Sequence, residues 1–356
     1  MRFPSVNGAT IRDLESAIAI ALILEMQTVP STASGHGLRH KLRSPKTFFL
    51  IALNGLLYFL LFRWAGENID PGRVADYFTQ IPLWAPIGSL LINMAALCLY
   101  GVRMALLLGT DFRTAFSIVN MGYALNTLLP LRLGEGIKVY LGYKLFAVPM
   151  TATFAGSIAE KLMDLVKILL LGVVVLVFAA GEIIQVSALW TMGLLAFLGI
   201  GVVAIFGRKI VRIVRFFPKH SRLRRIFIQL HKHARGYPLD RIVLLTAAIG
   251  VLNVFLVFFT FNTYLPDVRL GAIEAIALLV VIALAIAIPS APAGVGLFEA
   301  GIVVYLTQKS NIGIDAALAA ASVFHLVITI PQLIVTAWLV WRRSPSTAEG
   351  SVEKAG

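Results

Sequence analysis

The chain has 356 residues, 58% of them hydrophobic and 14% charged, with a mean hydropathy of +0.86. Soluble domains sit near about half apolar and a quarter charged, so an ordinary soluble fold is excluded, and several apolar runs approach the roughly 20 residues that cross a bilayer. The net charge of +13 does not point to nucleic acid as it would in a soluble chain, because the basic residues fall between apolar runs, as the positive-inside bias requires.

Residues 1–44 read as a cytoplasmic leader. Their short apolar run is flanked by Asp13, Glu15 and Glu25 rather than by the basic flank and small-residue site of a signal peptide. The membrane region is expected over 45–343, followed by a short cytoplasmic tail, 344–356. Apolar spans are expected at 48–62, 82–108, 152–180, 186–206, 242–265 and 316–341. The segment 208–241 is strongly basic and read as a cytoplasmic loop. Together with Arg39, Lys41, Arg43 and Lys46 near the start and Arg342 and Arg343 near the end, it places both termini in the cytoplasm of a bacterial-type inner membrane. Residues 67–76, of mixed charge, suit an outer loop.

Two further apolar stretches are interrupted, 114–150 and 271–308. Counting crossings between basic loops puts both ends of the first on the cytoplasmic side and both ends of the second outside. Each is a helical hairpin, either re-entrant or an ordinary pair of spans with a polar turn; the short amphipathic second arm of the first favours re-entry. The expected fold is thus an all-α polytopic membrane protein with about six full spans and two broken hairpins in an inverted repeat, a pattern of transporters whose substrate sites lie at the breaks.

The first break runs from Asn126 through Pro130, Arg132, Gly134 and Glu135 to Lys138. Pro130 interrupts a helix, and Arg132 carries a planar fork suited to phosphate. Glu135 has Arg132 or Lys138 as partners when no ligand is bound. The second break contains Pro289, Pro292, Gly294 and Gly296 and leads into Glu299. A helix starting there presents backbone N–H groups to an anion, or is capped by Glu299 itself. Between the breaks, Glu160, Asp164 and Lys167 share one helical face, with Lys161 one position round. They pair among themselves, or with Arg132, or contact substrate. Arg103 is expected to snorkel to the cytoplasmic surface. His325, Asn93, Asn253 and Asn262 are expected to make helix–helix hydrogen bonds. The single cysteine, Cys98, builds no disulfide or metal site alone, and no cofactor motif or metal-ligand spacing is present.

Taken together, Asn126, Pro130, Arg132, Gly134 and Glu135, then Glu160 and Asp164, then Pro289, Pro292, Gly294, Gly296 and Glu299 resemble the membrane region of the lysylphosphatidylglycerol synthases, over about residues 48–341. Lys138 and Lys161 stand where arginine is usual in that family, and Ala293 replaces a glycine. The resemblance implies a lipid flippase with two facing re-entrant hairpins. Relatives are associated with moving aminoacylated phosphatidylglycerol, hopanoids or glycolipid intermediates. It also implies a substrate site drawn from Asn126, Arg132, Glu135, Lys138, Glu160, Lys161, Asp164, Gly294, Gly296 and Glu299. The four acidic members are candidates for carrying coupling protons. With only 344–356 after the membrane region, the soluble aminoacyltransferase activity of the synthases is not expected here. The expected function is transport of an anionic or modified polar lipid. A membrane-embedded lipid-modifying enzyme, or a non-transporting partner of a cell-envelope lipid or glycan enzyme, are the alternatives.

Overall fold

The computed structural model describes residues 63, 66–129, 134–179, 236–287, 294–310 and 312–343. The expected spans 48–62 and 186–206, the leader, the tail, most of the basic loop and the centres of both breaks (Pro130 and Arg132; Pro289 and Pro292) lie outside the described residues. What is described is helical, with no strand among it.

The helices are α1, Pro71–Gln80; α2, Trp84–Leu108; α3, Phe112–Leu128; α4, Gly134–Phe146; α5, Met150–Ala179; α6, Leu239–Tyr264; α7, Ala272–Ala287; α8, Leu297–Ser310; and α9, Ile314–Arg343. The helices α2 and α6 and the stretch Ile314–Leu339 of α9 are each long and apolar enough to cross a membrane. The 30 residues of α5 are long enough as well, although they carry the charged cluster.

The interrupted stretches hold two helix pairs, α3–α4 and α7–α8. The arm α3, whose two ends are both described, has 17 residues; at about 1.5 Å per residue it reaches about 25 Å, less than a hydrocarbon core of about 30 Å.

Local chemistry sets several boundaries. Asp111 starts α3, its side chain accepting from Thr114 N at 3.0 Å, a standard N-cap. Gly109, at φ +64°, ends α2, where a residue with a Cβ is disfavoured. The expected basic loop ends earlier than 241, because α6 takes in Asp240 and Arg241.

The outer loop also differs from expectation. Six of its residues, 71–76, belong to α1, capped by Asp70, whose side chain accepts from the N–H groups of Gly72 and Arg73. This helix has no apolar run to betray it. Its Tyr77 packs on the main core, and the Asp70 N–H donates to Asp315 of α9 at 3.0 Å.

Helix contacts repeat in the two halves. In the first, α2 packs on α3, α3 on α4 and α4 on α5; in the second, α6 packs on α7, α7 on α8 and α8 on α9. Between halves, α2 lies along α6, α3 packs on α9, and α7 packs on α5. Exchanging the halves leaves this pairing unchanged.

The largest apolar cluster joins α2 and α6–α9. On α9, Ala317, Ala319, Ala320 and Ala321 are all fully buried, and such small side chains let membrane helices approach closely. A smaller cluster of Met121, Leu125, Ile137 and Leu141 closes the α3–α4 hairpin.

That hairpin is tightest at Gly134, where a Cβ would collide with the backbone N of Asn126 and lie 2.8 Å from the Gly122 carbonyl. Gly136 has open space at the same point. Gly134→Ala should therefore cost about 1–3 kcal/mol by overpacking, read as a lowered Tm of the purified protein, while Gly136→Ala should be neutral or slightly stabilising. Equal effects would remove the close approach as the reason for glycine at 134.

Candidate functional site

Seven charged side chains from α2, α4 and α5 form one chain of alternating sign, buried at its centre and open at Lys161. It begins at Lys167, whose Nζ lies 3.2 Å from Asp164. Asp164 also accepts from Arg103 at 3.0 Å, and Arg103 approaches Glu160 at 4.0 Å. Glu160 then accepts from Lys138 at 3.1 Å. Lys138 pairs with Glu135 at 2.7 Å, and Glu135 with Lys161 at 2.9 Å. Every carboxylate thus lies between two cations, and the chain ends in a lysine on both sides.

The helices explain the order. On α5, residues 160, 164 and 167 turn one face toward α2 and α4, and Lys161 lies beside that face. On α4, Glu135 and Lys138 are one turn apart. Neutral groups complete the bonding. Tyr123 of α3 donates to Glu160 at 2.8 Å, and Thr246 of α6 accepts from Arg103 at 3.2 Å. Tyr100 of α2 accepts from Lys167 at 3.3 Å and from Asn253 at 3.1 Å. The Arg103 guanidinium sits over the Tyr100 ring, 5.1 Å from its centroid, and Lys161 over that of Tyr123 at 5.3 Å. Such cation–π contacts strengthen when desolvated. Asn126 donates to Glu135 at 3.2 Å.

Arg103 and Lys138 are 0% and 1% exposed, and Glu160 is 1% exposed. The Lys161 side chain, by contrast, is 44% exposed and lines a cavity of about 330 Å³. With every group ionised, four cations face three carboxylates, and the excess positive charge has its open end at Lys161.

The cavity has two kinds of wall. Asn93, Tyr100, Tyr123, Asn126, Lys161, Asp164, Asn253 and Gln332 form the polar one. Leu256, Val257, Leu279, Ile282, Ile286, Phe298, Phe324 and Ile328 form most of the apolar one. Its volume lies at the lower end of the roughly 300–1,000 Å³ typical of ligand pockets, which leaves room for a polar head group and no room for two acyl chains.

Behind the apolar wall, Glu299 of α8 meets His325 of α9 at 2.5 Å. The His325 ring stacks on Phe298, with centroids 4.4 Å apart. The other Glu299 oxygen accepts from Gly296 N at 2.7 Å. Gly294 and Gly296 have φ of +73° and +87°, the region glycine enters without strain.

The model of the lysylphosphatidylglycerol synthase transmembrane region matches residues 50–336. The chain belongs to that family. No curated protein matches it.

Within this lysylphosphatidylglycerol synthase membrane region, the structure brings Asn126, Glu135, Lys138, Glu160, Lys161 and Asp164 together. Arg132 lies outside the described residues. Gly294, Gly296 and Glu299 form a separate group across the cavity.

Of the two readings of the second break, capping by Glu299 is the one seen, since Glu299 accepts the Gly296 N–H. Two expectations need correction. Arg103 does not snorkel: its guanidinium has two carboxylates and a hydroxyl within reach inside the bundle, and these hold it fully buried. Asn262 bonds Leu270 through both its amide N and O, fixing the turn after α6 rather than joining two helices. Asn93 and Asn253 do join helices, to Val327 O and Tyr100 respectively.

Sequence reasoning missed Tyr100, Tyr123 and Thr246. The spacing of Tyr100 and Arg103 on one face of α2 was an available signal.

Proposed function

We propose that the chain is a lipid transporter which carries an anionic or modified polar lipid across the membrane, its head group in the central cavity and its acyl chains in the surrounding bilayer. One observation carries this: a cavity in the middle of the bundle with a cationic end group, Lys161, on its polar wall and apolar side chains opposite. Lipids have the same two-sided chemistry.

The contact pattern that survives exchange of the halves supports an inverted repeat of span, broken hairpin and span, and we read the two interrupted stretches as re-entrant hairpins entering from opposite faces. The two hairpins are also chemically matched. Each second arm carries a glutamate in its first turn, Glu135 or Glu299. Each glutamate bonds the twelfth residue of the following helix, Lys161 in α5 or His325 in α9. The positive-inside rule places both termini in the cytoplasm. In the sequence of the first break, Arg132 carries a planar fork suited to phosphate.

The test is transbilayer movement of native and fluorescent lipids in proteoliposomes, comparing wild type with Arg132→Ala and Glu299→Gln. Accelerated movement by wild type, lost in both variants at normal expression and folding, is the expected result. No movement of any anionic or modified polar lipid by well-folded wild type would sink the transport assignment.

A further inference from the structure

We infer that the Glu299–His325 pair is a proton-binding site linked to the anion site at Lys161, so that one proton is taken up with each anionic head group bound. This rests on the proposed head-group site and adds a coupling mechanism to it.

The matched hairpins supply the first observation. At equivalent places, one half has a glutamate with a lysine and the other a glutamate with a histidine. A lysine as a residue type is charged across the physiological range, whereas histidine is the side chain whose charge changes between about pH 5 and 8.

Charge balance is the second observation. The seven-membered chain carries one excess positive charge among the described residues. The Glu299–His325 pair carries one negative charge when His325 is neutral and none when it is protonated. An anion arriving at Lys161 cancels the excess, and a proton arriving at His325 cancels the negative charge opposite. Binding both together leaves the cavity's net charge unchanged, where binding either alone does not. Across an apolar cavity such interactions are weakly screened, and linkage makes the effect reciprocal. The sign of the coupling needs only that anion and proton carry opposite charges.

Position is the third. His325 and Glu299 have side chains 9% and 13% exposed, and His325 stacks on Phe298, itself part of the cavity wall. Neighbouring elements bring titratable or charged groups of their own: Glu274 on α7, Tyr264 on α6, Arg103 and Tyr100 on α2, Tyr123 on α3 and Tyr77 on α1. On α8 and α9 themselves, Tyr305, Lys309 and Asp315 lie toward the other end of the pair's helices, with Lys309 bonded to Glu274. Among the described residues, the charged partner of Glu299 is His325 alone. The proton therefore has one place to go. Because the second Glu299 oxygen caps Gly296, proton uptake also acts on the turn that starts the second hairpin arm.

The test is calorimetric binding of short-chain phosphatidylglycerol, whose phosphodiester is a permanent monoanion, to the purified full-length protein. It is run in two buffers of different ionisation enthalpy between about pH 5 and 8. Wild type should take up as much as one proton per lipid, and its affinity should rise by up to about tenfold per unit fall in pH. His325→Gln should bind lipid with no linked proton and a flat pH profile. Glu299→Gln, which removes the carboxylate that holds the proton on His325, is the second variant should the first not fold. Buffer-independent binding by wild type, or unchanged uptake in the folded variants, overturns the coupling and leaves the head-group site standing. No binding by folded wild type removes the site itself, and the coupling with it.

Discussion

Glu160→Gln is expected to be the most damaging conservative change in the molecule, costing about 3–5 kcal/mol, as breaking a buried ion pair does when it leaves an uncompensated charge. Glu160 lies at the middle of the alternating chain, bonded to Lys138 and Tyr123 and near Arg103. Neutralising it splits the chain into Lys167–Asp164–Arg103 and Lys138–Glu135–Lys161. Each fragment carries an excess positive charge, so two replace the original one.

Removing the adjoining cation has a different consequence. Arg103→Met leaves Lys167–Asp164 and Glu160–Lys138–Glu135–Lys161, both neutral, and fills most of the vacated volume. Replacing buried charge by a well-packed apolar group is often close to neutral. The loss there should be less than half that of Glu160→Gln, even though Arg103 is the larger and more deeply buried side chain. Unfolding of the purified variants by heat or by SDS titration measures both. An Arg103→Met loss equal to or above that of Glu160→Gln would refute alternation of charge as what stabilises the cluster. Adding Lys138→Met to Glu160→Gln restores a single excess charge and should recover part of the stability, a non-additivity expected of residues in one network.

Much of this organisation was legible in the sequence, for reasons tied to particular residues. Apolar length alone located α2, α6 and α9. The 160–164–167 spacing put three charges on one face of α5, because helical periodicity is fixed by backbone geometry and not by context. Proline and glycine marked both hairpins. Which partners the charges take was not legible. Arg103 lies five residues from the end of its helix, where a long side chain that snorkels and one that turns inward look alike in sequence; Asp164 and Thr246, 61 and 143 positions away, decide between them. His325 read as a lone histidine because its partner, Glu299, belongs to another helix. The helix α1 was missed because an amphipathic segment of ten residues lying against a bundle needs no apolar run.

Lys161→Ala should show the opposite balance to Glu160→Gln: little change in stability and a large loss of function. Lys161 is a terminal member of the chain and its one cation on the cavity wall among the described residues. Without it, Glu135 keeps Lys138 at 2.7 Å, and the remaining three cations and three carboxylates balance. What disappears is the excess positive charge facing the head group. A hydrogen bond to a charged group contributes roughly 1.5–3 kcal/mol, so affinity for an anionic lipid should fall roughly 10- to 100-fold, with transbilayer movement at subsaturating lipid falling alongside. Lys161→Arg keeps the charge and offers the two-pronged donor usual in the family at this position, so it should retain transport. A neutral or zwitterionic lipid moved by wild type should be little affected by either change, since its head group does not draw on the excess charge. Transport of anionic lipid undiminished in Lys161→Ala would mean that the head group is recognised elsewhere, with Arg132 the next residue to replace. Loss in Lys161→Arg equal to that in Lys161→Ala would mean that shape at this position, rather than charge, admits the substrate.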